Sequence, residues 1–356
     1  MAADLLVLGT GLIGTSVGLA LRGSYDVVLG DPSPTALAGA VERGAGRAWD
    51  GAEPFAHCLV AAPPSAVAGV VRSLPLGAVT VSHVASVQRV VQEQLADAGV
   101  ALDRVCGSHP MAGRERSGPA AASGRLFVGR PWVLCPSPAT SAQALAATRD
   151  LAQQCGAEPV VLNAEQHDLA VALVSHLPQV AASAVAAVLA QDEAMLRLAG
   201  PGLQDTTRIA ASDPALWVEV LRQNAAAVAP LVRRLAGELG TTADALDALA
   251  ADPGSAAAGQ VEDLLRRGGA GRRLVPRKRG EHDADFVVVP VAVPDRPGQL
   301  AGVLASAAQA GLNVEDVRVE HLPGRPTGVI ELLVHLSAQD DARRALAAAG
   351  WDVVGA

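Results

Sequence analysis

The sequence predicts an α/β protein in three parts: a mainly parallel sheet covered by helices, an all-helical block, and a βαββαβ unit. Three observations predict it. Short apolar runs alternate with helical patterns as far as about residue 163, the signature of βαβ units. Long Ala-, Leu- and Val-rich stretches at helical spacing replace that alternation from about Ala164 to Leu265. After a Gly- and Arg-rich segment, strand and helix patterns return in the order of a ferredoxin-like split βαβ unit.

In the first part the strand candidates are Leu5–Leu8, Val27–Gly30, Cys58–Ala61, Val79–Ser82, Val105–Ser108, Trp132–Cys135 and Pro159–Leu162. In the second, helices are expected at Glu165–Leu177, Gln179–Leu198, Pro214–Leu239 and Thr242–Ala250. Ser212-Asp213-Pro214 carries a helix-start signal, a capping residue followed by proline. Residues 267–284, RGGAGRRLVPRKRGEHDA, are expected to be a solvated tether. In the third part Phe286–Val293, Leu312–Glu320, Val329–Leu336 and Trp351–Val354 are strand candidates, with helices at Gln299–Ala310 and Asp340–Ala349. The expected boundaries are therefore 1–163, 164–266, the tether 267–284, and 285–356.

Composition narrows the function classes. The 356 residues are 50% hydrophobic, enough to bury more than one core, and carry a net charge of −8. That balance argues against nucleic-acid binding and gives no attraction to an anionic membrane. The most apolar helix candidate, Leu169–Ala190, is interrupted by Ser175, His176, Pro178 and Gln179, which suits a buried helix pair better than a membrane span. No basic segment precedes the first strand, so no secretory signal is expected. Cys58, Cys106, Cys135 and Cys155 form no C-x-x-C pair. Neither a metal site nor a disulfide framework is expected; reduced cysteines in a cytoplasmic protein are.

The first strand runs into Gly9-Thr10-Gly11-Leu12-Ile13-Gly14 and an apolar helix follows at once. This is G-x-G-x-x-G in its strand–turn–helix setting. Gly9 permits the tight turn, Gly11 lets a pyrophosphate approach, and Gly14 allows close helix–strand packing. Leu12 and Ile13 open the helix whose N-terminus would face the phosphates. Asp31 ends the second strand about 20 residues on, where a carboxylate can bind a ribose 2′-hydroxyl and repel a 2′-phosphate. The site is therefore read as a Rossmann-type NAD site, with Pro63 of Ala62-Pro63-Pro64 at its border.

Four polar islands stand out in the apolar chain: Ser82–Gln88, His109–Glu115, Ser175–Gln179 and Asp205–Ala210. His109 lies just past a strand end, and an imidazole can take a hydroxyl proton as hydride leaves. Arg208 can pair with a carboxylate through two hydrogen bonds. Ser86 and Ser175 can orient a hydroxyl or carboxylate. Each also has a structural reading, as turn, ion pair or helix cap.

Taken together, HPMAGRERSGPAAASGRLFVGRPWVL (109–134), DTTRIAASDPALW (205–217) and SHLP (175–178), in this order behind the glycine motif, resemble the prephenate/arogenate dehydrogenase family of tyrosine biosynthesis. The resemblance spans about Leu5 to Leu265. It implies NAD-dependent oxidative decarboxylation of prephenate to 4-hydroxyphenylpyruvate, with arogenate as the alternative substrate. His109 would then take the C4 hydroxyl proton and Arg208 would hold a substrate carboxylate. Ser86 would sit by the nicotinamide, and Ser175 would contact the substrate from the helical block. Gln179, Glu115, Asp168 and Gln204 would supply further substrate contacts. A homodimer built through the helical block is expected from its extensive apolar helices.

The sequence departs from the family pattern in three places. The serine segment is usually D-x-x-S-V-K, where His83 and Gln88 stand here, and the helix motif often ends in histidine where Gln179 stands. In the C-terminal unit, Asp295-Arg296-Pro297-Gly298-Gln299-Leu300 followed by Gly311-Leu312-Asn313-Val314 resembles the amino-acid-binding ACT domain. That resemblance implies an effector such as tyrosine or another aromatic amino acid, bound by Gly298, Gln299, Leu300 and Asn313.

Overall fold

A computed structural model describes residues 3–74, 79–113, 117–189, 193–275, 285–321 and 326–354. The chain divides into two compact units, Met1–Leu235 and Ala236–Ala356.

The first unit is built on an eight-stranded sheet: β1 (Ala3–Leu8), β2 (Val27–Gly30), β3 (Arg47–Ala48), β4 (Phe55–Val60), β5 (Thr80–His83), β6 (Val105–Pro110), β7 (Pro131–Pro136) and β8 (Glu158–Val161). Their spatial order is β3-β2-β1-β4-β5-β6-β7-β8. The helices between them are α1 (Leu12–Ala20), α2 (Pro34–Glu42), α3 (Pro64–Arg72), α4 (Arg89–Asp97) and α5 (Ala142–Gln154). All pairs are parallel except β6 with β7. Helical crossovers impose parallel pairing elsewhere; the segment joining β6 to β7 holds no α-helix among its described residues, and the chain returns antiparallel. The central strands are apolar on both faces, as a doubly covered sheet requires. Leu5, Val7, Leu29, Leu59, Phe127 and Trp132 fill one side; Leu6, Val28, Cys58, Val60, Val81 and Leu95 fill the other. The two-residue β3 was not expected, being too short to carry a periodicity.

Helices α6 (Ala164–Val171), α7 (Leu177–Leu189), α8 (Pro201–Thr207), α9 (Pro214–Gln223) and α10 (Ala225–Ala251) follow. The expected break at Pro178 does not occur. A π-helical turn, Ala172–His176, joins α6 to α7, so Pro178 lies within one continuous helical run. Proline has no N–H to donate, and a π-turn re-registers the backbone bonds around it. That run, Ala164–Leu189, is long and apolar enough by length and composition to cross a membrane. It also carries four buried polar residues, His167, Asp168, His176 and Gln179. The expected helix Pro214–Leu239 breaks at Asn224, whose side chain turns inward, while α10 continues past residue 239 as a single helix containing Pro230.

In the second unit, α11 (Ala258–Arg273) overruns the expected tether, so residues 267–273 are helical. Arg267 explains this: it pairs with Asp263 one turn back and with Glu238 on α10. Residues 276–284 lie outside the described residues. The remainder is β9 (Phe286–Pro294), α12 (Gln299–Gln309), β10 (Val314–His321), β11 (Thr327–His335), α13 (Gln339–Ala348) and β12 (Asp352–Val353). The sheet order is β10-β11-β9-β12, antiparallel throughout, around a core of Val289, Val291, Val303, Ile330, Leu332 and Leu346. This is the expected ferredoxin-like unit.

Candidate active site

The strand order reverses about β1, which lies between β2 and β4, and such a switch point opens a crevice at the strand C-termini. The glycine turn occupies it. Gly9 has φ +102°, and a Cβ there would meet the Ala61 carbonyl oxygen at 2.3 Å. A Cβ on Gly14 would meet the Gly9 carbonyl oxygen at 1.9 Å. Gly11 is different: nothing lies within 4 Å of its Cβ position. It caps α1 without any side-chain hydrogen bond, so the first-turn N–H groups at Leu12 and Ile13 face a cradle suited to a pyrophosphate. Pro63 starts α3 beside Ala61–Ala62.

Asp31 is already engaged. Its Oδ2 accepts from the Thr10 N–H (2.6 Å) and the Thr10 hydroxyl (2.9 Å), and its Oδ1 accepts from the Ser33 N–H (2.8 Å). The carboxylate therefore shapes the glycine turn as well as standing where a ribose would lie.

A second cluster forms around His109 at the end of β6. His109 Nδ1 lies 2.9 Å from His167 Nε2, and His167 Nδ1 lies 2.8 Å from Asp168 Oδ1. Asp168 Oδ1 also accepts from the Gln88 N–H (2.8 Å), and Oδ2 from the Arg89 N–H (2.9 Å). Helix α4 lacks a side-chain cap of its own, and this carboxylate, distant in sequence, serves as one. Asn224 donates to the Asp168 carbonyl (2.8 Å) and lies 3.1 Å from His176 Nδ1. Burial holds the imidazole of His109 neutral, with His167, His176 and His83 adding, and lowers its pKa to about 3. The ring is therefore unprotonated at neutral pH, with a lone pair free to accept a hydrogen bond or a proton.

A cavity of about 850 Å³ lies between the α6–α7 run and the segment after α8. Ser175, Gln179 and Arg208 line it with Gly113 and Trp217, which brings three expected site residues together. His176 joins this cavity to the His109 cluster, its ring packing edge-on against Trp217 at 5.9 Å. The remaining expected residues fall elsewhere. Asp168 is buried, with both carboxylate oxygens committed to protein donors, so it serves the cluster and not the cavity. Gln204 is exposed on α8 and is not among the lining residues. Ser86 is half-buried, two residues before the Gln88 N–H held by Asp168. Glu115 lies outside the described residues.

Comparison with known proteins decides the family. Residues 17–161 match the nucleotide-binding domain of prephenate dehydrogenase, and residues 163–252 match its dimerization domain. A probable prephenate dehydrogenase, NovF of Streptomyces niveus, is 38% identical over 337 residues, 92% of this chain and 93% of the relative. The chain belongs to the prephenate dehydrogenase family. Two solved structures share its fold. One is Aquifex aeolicus prephenate dehydrogenase in complex with hydroxyphenyl propionate and NAD+ (TM-score 0.66, 24% identity, 76% of this chain and 97% of that one). The other is Synechocystis arogenate dehydrogenase (TM-score 0.61, 24% identity, 76% and 98%).

Membership gives the three departures from the family pattern a structural meaning. His83 and Gln88 are fully buried. The Gln88 amide donates to the carbonyls of Ala85 (2.7 Å) and Ser108 (3.0 Å), tying the Ser86 segment to the strand that carries His109. His83 Nε2 and Gln88 Oε1 converge on the Gly107 backbone, where a Cβ would meet them at 3.1 and 2.3 Å. Two neutral side chains thus occupy the positions that usually hold an acid and a lysine, and neither His83 Nε2 nor Gln88 Oε1 has a hydrogen-bond partner there among the described residues. Burial lowers the His83 pKa to about 4, so the pair stays uncharged. Gln179 donates to the Ile209 carbonyl (3.0 Å) and so fastens the turn that carries Arg208. Sequence reading missed His167, Trp217 and Asn224. His167 adjoins a residue that was singled out, but no motif distinguishes it; Asn224 lies where the helical pattern runs on.

In the second unit, Gly298 caps α12 with φ +90°, placing Gln299 and Leu300 in its first turn. Asn313 leads into β10 and donates to Glu315.

Proposed function

We propose that this chain is an NAD-dependent prephenate dehydrogenase that oxidatively decarboxylates prephenate to 4-hydroxyphenylpyruvate. The observation that carries the reading is a neutral His109, held by a hydrogen-bond chain through His167 and Asp168, in a cluster whose His176 packs against Trp217 in the lining of the cavity that contains Arg208. NAD, when bound at the glycine turn, supplies the hydride acceptor. His109 removes the ring hydroxyl proton, Arg208 pairs with a carboxylate, and Ser175 and Ser86 orient polar groups of the bound substrate. Loss of CO2 with aromatisation makes the oxidation effectively irreversible. Asp31 favours NAD over NADP by repelling a 2′-phosphate.

Arg208, Ser175 and Gln179 in the cavity lining offer partners to a carboxylate and a carbonyl, which suits the prephenate side chain, with arogenate as the alternative substrate. Exposed Leu169, Leu173 and Val188 on the α6–α7 run, within the match to a dimerization domain, support a homodimer. The ferredoxin-like unit is read as an ACT domain that binds an aromatic amino acid such as tyrosine near Gly298, Gln299, Leu300 and Asn313. A cytoplasmic location is supported by four cysteines that are all buried and unpaired. Steady-state NAD reduction with prephenate and with arogenate, each with and without tyrosine, tests the reading. Turnover of prephenate is expected to exceed that of arogenate; activity with neither substrate would sink it.

A further inference from the structure

One buried carboxylate touches both halves of the proton-handling machinery. Asp168 Oδ1 and Oδ2 together accept from three donors: the His167 ring, the Gln88 N–H and the Arg89 N–H. Two of the three are backbone N–H groups at the start of α4, which can only donate. An ionised Asp168 can only accept, so the proton between it and His167 resides on His167 Nδ1. A neutral His167 then presents a bare Nε2. At 2.9 Å from that atom, His109 Nδ1 must be the donor. The lone pair of His109 is thereby left on Nε2.

We propose that His167 and Asp168 are positioning residues that set the tautomer of His109, leaving Nε2 as the base, and take up the charge when it is protonated. The proposal rests on the dehydrogenase reading. A proton arriving from the substrate hydroxyl at His109 Nε2 is matched by movement of the His109 Nδ1 proton to His167 Nε2. His109 is again neutral, and the positive charge resides on His167 beside the Asp168 carboxylate. The same carboxylate holds the start of α4, two residues after Ser86, so one anchor sets the spacing of Ser86 and His109. His167 is 1% and Asp168 4% exposed, so neither is available to bind substrate directly.

Three variants and one spectrum test this. His167→Leu keeps the volume and removes both ring nitrogens; kcat is expected to fall by about 100-fold or more, with the KM for prephenate and the affinity for NAD within about threefold of wild type. His167→Gln offers an amide oxygen to His109 Nδ1 and is expected to recover about tenfold of that loss. Asp168→Asn offers an amide donor to His167 and reverses the chain; its kcat is expected to fall by about 1,000-fold. The 15N shifts of the histidine ring nitrogens in the unliganded protein are expected to show His109 protonated at Nδ1 and bare at Nε2. A His167→Leu enzyme within about threefold of wild-type kcat, a His167→Gln enzyme no better than it, or a His109 ring protonated at Nε2 would each overturn the proposal. If His167→Leu fails to fold, the other two variants and the spectrum decide. Wild-type protein inactive on prephenate would defeat the functional reading instead, and the ring-nitrogen spectrum would still judge the tautomer.

Discussion

The glycine turn and the His109 cluster are built in opposite ways. The turn draws on residues 9 to 33 and the adjoining strand end at Ala61, and its constraints are local: a positive φ at Gly9 and two glycines with no room for a Cβ. The His109 cluster draws on residues 83 to 224, contributed by β5, β6, α4, α6, the π-turn and the break before α10. One is specified by backbone sterics over a short span; the other exists only once the sheet and the helices after it have packed. The binding half of the site is thus encoded locally and the proton-handling half is assembled.

This contrast can be broken by separating binding from turnover. His109→Asn is expected to lower kcat by about 1,000-fold while leaving the NAD dissociation constant unchanged, as read by titration calorimetry. A parallel loss of NAD affinity would show that the two halves are not independent.

A smaller effect sharpens the local half. Asp31→Ala removes the acceptor for two Thr10 donors and the Ser33 N–H. NAD affinity is expected to fall by about tenfold through loosening of the turn, as discrimination against NADP narrows. Narrowed selectivity with unchanged NAD affinity would assign Asp31 to the ribose alone.

A third expectation concerns the assembled half and its surroundings, where histidines are held neutral by burial. His57, between Thr80 and Ser82, and His83 both have their pKa lowered to about 4. In the unfolded chain a histidine titrates near its ordinary value of about 6.5. As pH falls below that value the unfolded chain takes up protons that the folded chain refuses, so stability falls, and the loss levels off near the folded value. Each histidine contributes about 2 kcal/mol of loss between pH 7 and pH 5. Urea unfolding of wild type and His83→Gln at the two pH values checks this: the variant should lose less. Equal losses would remove His83 from the account.

Legibility in the sequence followed the same division. The strands from Leu5 to Leu162 and the C-terminal βαββαβ order were readable because period-two and period-3.6 patterns are local. Misses occurred where a tertiary contact overrode the local signal. Pro178 reads as a break, but a π-turn accommodates it; Asn224 reads as mid-helix, but its side chain is turned to Asp168 and His176. The glycines and arginines of residues 267–273 read as a tether, but Arg267 finds Glu238 twenty-nine positions away and the helix continues. Asp168 was singled out for its charge and given a substrate role, when its partners are backbone amides and a histidine.

By itself the sequence determined the nucleotide turn, the fold class, and the candidacy of His109, Ser175 and Arg208, since each depends on backbone sterics or a short motif. Only the tertiary structure decided that Ser175, Gln179 and Arg208 share one cavity and that Asp168 lies behind His167 and His109. It also decided that Gln88 and His83 are both buried against Gly107. Hydrogen-bond direction in a buried chain depends on which donors and acceptors are brought within about 3 Å of one another, and no spacing along a sequence states that.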